Sequence, residues 1–276
     1  MLYNIRGQIQ IHRGMFIEHI TLAGPNLDEL RAQLSAAGIL SDYGGVHNNG
    51  ITHMALAGFG DGSYLEIVAP LRADGRVALW HNFQLRRLGG AAWTIATDDV
   101  ASELMRVRNL GIEATGPVVV RRERPDGQIG QWQLGYLESH QPGGVLPFLI
   151  QDDTDRGLRV RPTASLKEVL ADWSANVLAV RDPHSAARQF QHLYGWASPV
   201  CSGDLLHFEG TPVYLSYPKD HIDEFGESPC PCVLRMTNSA FWADFRYSAT
   251  SSLASRTVHW LDLPWKNIRI GLEEPQ

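Results

Sequence analysis

Residues 50–70, GITHMALAGFGDGSYLEIVAP, place His53 and Glu66 in two alternating runs on either side of Gly60-Asp61-Gly62. An imidazole beside a carboxylate among apolar neighbours is a pair suited to general acid–base catalysis, because burial and contact tune the proton affinity of each. The same groups are also metal ligands. Another histidine, His19, lies in the alternating run FIEHITLA, and His47 lies in GGVHNNG just before the hairpin.

Strand side chains alternate between faces. His19 and Thr21 therefore oppose Ile20 and Leu22. Tyr64, Glu66 and Val68 oppose Leu65 and Ile67. If Gly60-Asp61 centres the hairpin, residue 55 lies opposite residue 66, and His53 shares the face of Glu66. The bulky aliphatics Met54 and Leu56 then suit a helix-covered face. His19, Thr21, His53, Tyr64 and Glu66 are expected on the other face, where Ala55 and Ala57 leave room for a ligand.

The elements that position these residues recur. FIEHITLAGPNLDELRAQLSAAGI reads as a strand at 16–23, an Asn26 cap with Glu29 three residues on, a helix, and Gly38 as its stop. AAWTIATDDVASELMRVRNLG repeats it with a strand at 91–97, Asp99 and Gly111. ANVLAVRDPHSAARQFQHLYG repeats it again with a strand at 175–181, Asp182, Pro183 in the first helical turn, and Gly195. Such self-similarity signals repeated supersecondary units. Short strands follow each helix: 51–58 and 63–69; then 116–123, 129–137 and 145–151; then a hairpin in LLHFEGTPVYLSY. TVHWLDLPWKNIRIGLEEP (257–275) loosely echoes the first hairpin and suggests a degenerate fourth unit. The Ser-rich NSAFWADFRYSATSSLASRT before it reads as loop. The expected organisation is a leader or edge strand at 1–15, a first pair of units at 16–152, a linker at 153–172, and a second half at 173–276.

Composition narrows the function. A net charge of −6 disfavours nucleic acid and gives no cue for a membrane surface, and no apolar run reaches membrane-spanning length. The first residues lack the apolar segment of a secretion signal. Three cysteines, Cys201, Cys230 and Cys232, form no disulfide framework, so a reducing cytoplasm is expected and burial explains the CPC stretch. The sequence contains no GxSxG, P-loop, GxGxxG or HExxH motif, which leaves hydrolase, nucleotide-binding and zincin readings without support.

The repeated βαβββ unit, together with EHITLAGPNLDEL, GGVHNNGITHMALAGFGDGSYLEIVAP, RRERPDGQIGQWQL and LPFLIQD, resembles the vicinal oxygen chelate superfamily and its glyoxalase-like branch. The resemblance spans about 16–217. It implies an α+β fold in which paired βαβββ modules form curled mixed sheets around an open concave pocket. It also implies a divalent metal, Fe, Mn, Ni or Zn, held by a histidine on the first strand and a glutamate on the last strand of each paired module. On this chain the first module supplies His19 and Glu66. The matched positions of the second are Ala92 and Leu149, and those of the third Ala175 and Leu215, so half of the usual set is present.

The family places its last strand between the first and third, which would put His19, Glu66 and His53 on adjacent strands as a two-histidine, one-carboxylate metal set. Without metal, Glu66 is the candidate general base with His53 beside it. His47 could close over the site, and Tyr64 would line it. Arg121, Arg122 and Arg124 are candidates to bind a carboxylate-bearing ligand, or else form a solvated strand edge. Gln131 and Gln133 form a pocket wall or a wet sheet face. Two functions follow: an enzyme of isomerase or lyase type acting on a small organic molecule, with dioxygenase chemistry a lesser option, or a metal-free protein that binds and sequesters one. A second copy, as a homodimer, is the macromolecular partner considered.

Overall fold

The computed structural model describes residues 16–72, 88–124, 127–137, 144–265 and 267–275. The expected leader at 1–15 lies outside them. Four units follow one another. The first contains β1 (Ile17–Ala23), α1 (Leu27–Ala36), β2 (Asp42–Val46), β3 (Thr52–Gly58) and β4 (Tyr64–Pro70). The second contains β5 (Gly89–Ala96), α2 (Val100–Asn109), β6 (Ala114–Glu123), β7 (Ile129–Leu137) and β8 (Phe148–Asp152). The third contains β9 (Leu170–Ala179), α3 (Pro183–Tyr194), β10 (Val200–Ser202), β11 (Leu205–His207) and β12 (Val213–Ser216). After α4 (Lys219–Phe225), the fourth contains β13 (Ser228–Met236), β14 (Tyr247–Leu253), β15 (Arg256–Leu261) and β16 (Ile270–Glu273), with a 3₁₀ turn at Ser239–Asp244 where the others carry a helix.

Local chemistry explains the helix starts. The side chains of Asn26, Asp99 and Asp182 accept bonds from the backbone N–H groups of Glu29, Ser102 and Ser185. Helix α3 ends on Gly195 in the left-handed region at φ 67°, where a side chain would be strained. The Ser-rich stretch expected to be loop holds β14. Its side chains are mostly exposed, so no hydrophobic alternation marks it. Likewise β2 was hidden in a Gly-rich exposed edge.

The units pair into two eight-stranded sheets of the same design, β2-β3-β4-β1-β5-β8-β7-β6 and β10-β11-β12-β9-β13-β16-β15-β14. In each, the two first strands meet antiparallel at the centre and each last strand runs parallel beside its own first strand. This gives two curled mixed sheets, an α+β fold with a concave face. One apolar core joins helix-facing residues of both halves, Leu34, Ile67, Trp93, Phe190 and Leu234 among them. The second sheet's other face is filled by Val177, Tyr214, Val233, Val258 and Trp260. The cysteines are free, and Cys230 donates to the Asn267 carbonyl.

The two sheets touch backbone to backbone where β5 passes β13. A Cβ on Gly90 would lie 1.8 Å from the carbonyl oxygen of Pro229. Neither strand can retreat without breaking its ladder. Gly90→Ala is therefore expected to cost about 1–3 kcal/mol, read as a lower urea midpoint at unchanged slope. An unchanged midpoint would show that the halves separate freely at this contact.

Segment 153–169 is fastened to the first sheet. The Gly58 N–H donates to Thr163 Oγ1 at 3.1 Å, Gly60 N–H to the Leu170 carbonyl at 2.9 Å, and the Arg156 guanidinium to the Gly62 carbonyl. Strand β9 begins inside the span expected as a linker.

Candidate active site

The concave face of the first sheet encloses a cavity of about 290 Å³. Its two walls differ in character. The first unit contributes polar groups, His19, Thr21, His47, Thr52, Tyr64 and Glu66; the second contributes Val120, Trp132, Leu134, Tyr136, Phe148 and Ile150. Alternation explains both walls. Tyr64, Glu66 and Val68 point inward from β4, while Leu65 and Ile67 pack under the helices.

His53 is not on this face, which corrects the expected His19–Glu66–His53 set. Leu56, not Ala55, stands opposite Glu66. The reason is the length of the loop. Phe59 N–H bonds to the Ser63 carbonyl at 2.8 Å, so Gly60, Asp61 and Gly62 form a three-residue connection centred on Asp61. Its carboxylate accepts from Ser63 N and Oγ, and Gly62 takes φ 88°. One extra loop residue moves the register by one, and a one-residue slip exchanges the faces of a strand. His53 thus shares its face with Ala55, meets the edge of the Tyr43 ring, and faces the α1 side, where burial lowers its pKa. Met54 and Leu56 instead join Tyr64 and Val68. Ala55 and Ala57 are core residues under the helices and make no room for a ligand.

Arg121, Gln131 and Gln133 also lie off the cavity. Arg121 donates to Gln131 Oε1 at 2.6 Å, and both glutamines donate to Asp153 at 2.9 and 2.7 Å. They share the strand face of Gly135, where a Cβ would meet Val100 and Leu104 of α2. Their even-numbered neighbours on β7, Trp132, Leu134 and Tyr136, form the apolar wall. His47 and Tyr64 line the cavity.

A bulge builds the centre of the site. Strand β1 pairs with β5 through Ile17–Ile95 and then His19–Thr94, so Glu18 is an extra residue in the ladder. A bulge re-aims side chains, and here it brings the Glu18 carboxylate to His19 Nδ1. Glu18 is fully buried. Burial would raise its pKa, but Arg159, the His19 contact and Arg156 outweigh that and hold it at about 2. Arg159 donates to Glu18 at 2.7 Å, to both oxygens of Asp152 at 2.6 and 2.9 Å, and to the Tyr64 hydroxyl at 3.0 Å. Burial pushes the Tyr64 phenol up, and its ring stacks on His19 at 4.7 Å.

Glu66 lies between two imidazoles. Thr21 Oγ1 donates to its Oε2 at 2.9 Å, His47 Nε2 is 3.5 Å from Oε1, and His19 Nε2 is 3.9 Å from Oε2. Burial would raise its pKa; the His47 hydrogen bond, the two imidazoles and Thr21 outweigh it and hold it at about 2. An ionised carboxylate only accepts hydrogen bonds, so the partners fix the tautomers. His19 in its neutral form donates Nδ1–H to Glu18, and its Nε2 lone pair receives Thr94 Oγ1 at 2.9 Å. His47 donates Nε2–H to Glu66, and its Nδ1 lies 2.8 Å from Thr52 Oγ1, a hydroxyl that also reaches Asn49 Oδ1 at 3.3 Å. One imidazole presents a lone pair and the other an N–H, on either side of one carboxylate.

The four-ligand metal set of the resembled superfamily does not fit this cavity. Leu149 is in the core, and its neighbours Phe148 and Ile150 face the site. Thr94, not Ala92, stands across from His19. The second unit thus offers apolar groups and a hydroxyl where a histidine and a carboxylate would be needed. Among the described residues no group of three His, Cys, Asp or Glu is arranged to hold a metal ion.

Sequence reasoning missed Glu18, Thr94, Asp152, Arg159 and the aromatic wall. The even positions of GQWQLGYL carried the signal for Trp132, Leu134 and Tyr136. Nothing in the sequence marks the bulge that exposes Glu18 to His19.

Residues 17–194, more than half of the chain, match the glyoxalase-like domain. No curated protein matches it. Among solved structures, a hypothetical protein from Staphylococcus aureus superposes with TM-score 0.68 at 12% identity, covering 95% of this chain and 100% of that one. The Mn(II)-bound glyoxalase from Novosphingobium aromaticivorans gives 0.58 at 10% identity, with 95% and 82% covered. A mutant of 4-hydroxymandelate synthase from Streptomyces coelicolor gives 0.58 at 11% identity, with 95% and 93% covered. At such identities the structural likeness concerns the fold. The sequence match and the paired βαβββ modules together make this chain a member of the glyoxalase-like domain family, within the vicinal oxygen chelate superfamily.

Proposed function

We propose that the protein is an enzyme that moves protons on a small organic carbonyl compound, an isomerase- or lyase-type reaction run without a metal. The observation that carries this reading is the pair of imidazoles on either side of Glu66, His19 held at its far nitrogen by Glu18 and His47 by Thr52. With the Thr94 hydroxyl turned away from it, His19 Nε2 would take a proton from a carbon next to a carbonyl, and the electron pair would move onto the carbonyl oxygen. Glu18, held ionised by Arg159, stabilises the imidazolium so formed. His47 Nε2–H would hydrogen-bond the oxygen that gains charge, and the His19 imidazolium would then return its proton to carbon, which regenerates the neutral imidazole. Glu66 stays a carboxylate throughout, which corrects its expected role: at a pKa of about 2 it is a poor base at neutral pH. The unpaired thiols support a reducing, cytoplasmic setting. No described helix is long and apolar enough to cross a membrane.

The test is deuterium wash-in to the methylene of 2-hydroxyacetophenone in D₂O, followed by NMR, with chelator-treated protein. Exchange should exceed the uncatalysed rate, survive chelation, and fall about 10²-fold or more in His19→Ala. Binding without exchange would favour sequestration, the reading supported by the apolar wall. Exchange that is lost on chelation and restored by Mn²⁺ or Zn²⁺ would overturn the metal-free mechanism.

A further inference from the structure

The cavity contains charge of both signs, and the two are not equally free. Arg159 is the cation among its described lining residues. Its guanidinium is spent on Glu18, Asp152 and the Tyr64 hydroxyl, and Arg156 joins the same two carboxylates at 2.9 and 3.4 Å. Two arginines and two carboxylates neutralise one another there. Arg122 is not a lining residue; it donates to the carbonyls of Gly44 and Arg159 and lies 5.7 Å from the Trp132 ring centre. Glu66 differs. Its Oε2 receives the Thr21 hydroxyl, but among the described residues Oε1 has only the long 3.5 Å contact to His47. An acceptor with unused capacity therefore faces a cavity whose opposite wall carries Trp132, Tyr136 and Phe148.

We infer that this cavity takes a molecule with a hydrogen-bond-donor head, a hydroxyl or an ammonium, on an aromatic body, and that it rejects carboxylates, with Glu66 as the discriminating group. The donor head completes Oε1, and the ring lies on the aromatic wall. A carboxylate in the same place would meet Glu66 with no unspent cation among the described residues to offset it, and like-charge juxtaposition is costly. This departs from the sequence-based expectation of a carboxylate-bearing ligand held by arginines. The inference rests on the same cavity as the proposed reaction, but it concerns binding and not turnover.

The experiment is calorimetric titration of the full chain with three unreactive probes of matched shape: 2-phenylethanol, 2-phenylethylammonium and phenylacetate. Both donor probes should bind at least about tenfold tighter than phenylacetate; the alcohol and the amine distinguish a neutral head from a cationic one. In Glu66→Gln the preference over phenylacetate should fall to within about threefold, and in Trp132→Ala all binding should weaken with the order kept. The inference is overturned if phenylacetate equals or exceeds the donor probes, if no probe binds the wild-type protein, or if folded Glu66→Gln keeps the full preference. Should Glu66→Gln fail to fold, the wild-type order alone decides. Donor selectivity without deuterium exchange would sink the proposed reaction and leave this inference standing; exchange without selectivity would do the reverse.

Discussion

Arg159→Met should be about 3–5 kcal/mol less stable than the wild-type protein, because it strands a buried charge. The Arg159 side chain is 4% exposed and the Glu18 side chain 0%. Methionine can fill the guanidinium's volume but cannot donate. Glu18 would then keep only Arg156 and His19 as partners, and Asp152 would keep Arg156 at 3.4 Å. For a chain of this size such a loss lowers the melting temperature by roughly 6–15 °C. The charge argument, as distinct from lost packing, is read from the double mutant. Glu18→Gln removes the carboxylate that needs Arg159, so Glu18→Gln with Arg159→Met should lose at least about 1 kcal/mol less than the sum of the two single changes. A loss under about 1 kcal/mol for Arg159→Met, or strict additivity, would show that the arginine is packing alone.

The same cluster shows what the sequence carries and what it does not. Helix boundaries were legible because Asn26, Asp99 and Asp182 act on backbone groups two or three residues away, and Gly195 acts on its own φ. The inward set of β1 and β4, His19, Thr21, Tyr64 and Glu66, was legible because alternation is a local rule. The placement of His53 failed on one unit of loop length, which a Gly-Asp-Gly string does not specify. Of the neighbours Arg121 and Arg122, which strand alternation puts on opposite faces of β6, it is Arg122 that reaches the Trp132 ring and the Arg159 carbonyl. Glu18 was hidden by a bulge in the pairing of β1 with β5, which no local pattern marks. Arg159 was hidden because segment 153–169 has no hydrophobic period, its course being set by bonds of Thr163 and of the Arg156 side chain to the backbone of Gly58 and Gly62. Half of the candidate site is thus written in local pattern and half in contacts between distant segments.

Acid should weaken the fold through the two site carboxylates. Glu18 and Glu66 both titrate near 2 in the folded protein, against 4.5 for an unconstrained glutamate. A depressed folded pKa means the unfolded chain binds the proton first. The contribution is therefore whole above about pH 4.5 and is lost as pH falls from there toward 2. At 1.36 kcal/mol per unit, each carboxylate gives up about 2 kcal/mol between pH 7 and pH 3, and the pair about 4 kcal/mol. Asp61 and Asp172, raised mainly by burial, work in the opposite direction and temper the total. Urea unfolding at pH 7, 4.5 and 3 measures the slope. Glu66→Gln cannot titrate at this position, so its curve should be flatter than the wild type by about 2 kcal/mol over the same range. Equal slopes would mean that Glu66 binds its proton in the folded protein as it does in the unfolded chain, and the contacts from His47 and Thr21 would then not be what holds it ionised, which removes the support for the His47 N–H donated to it.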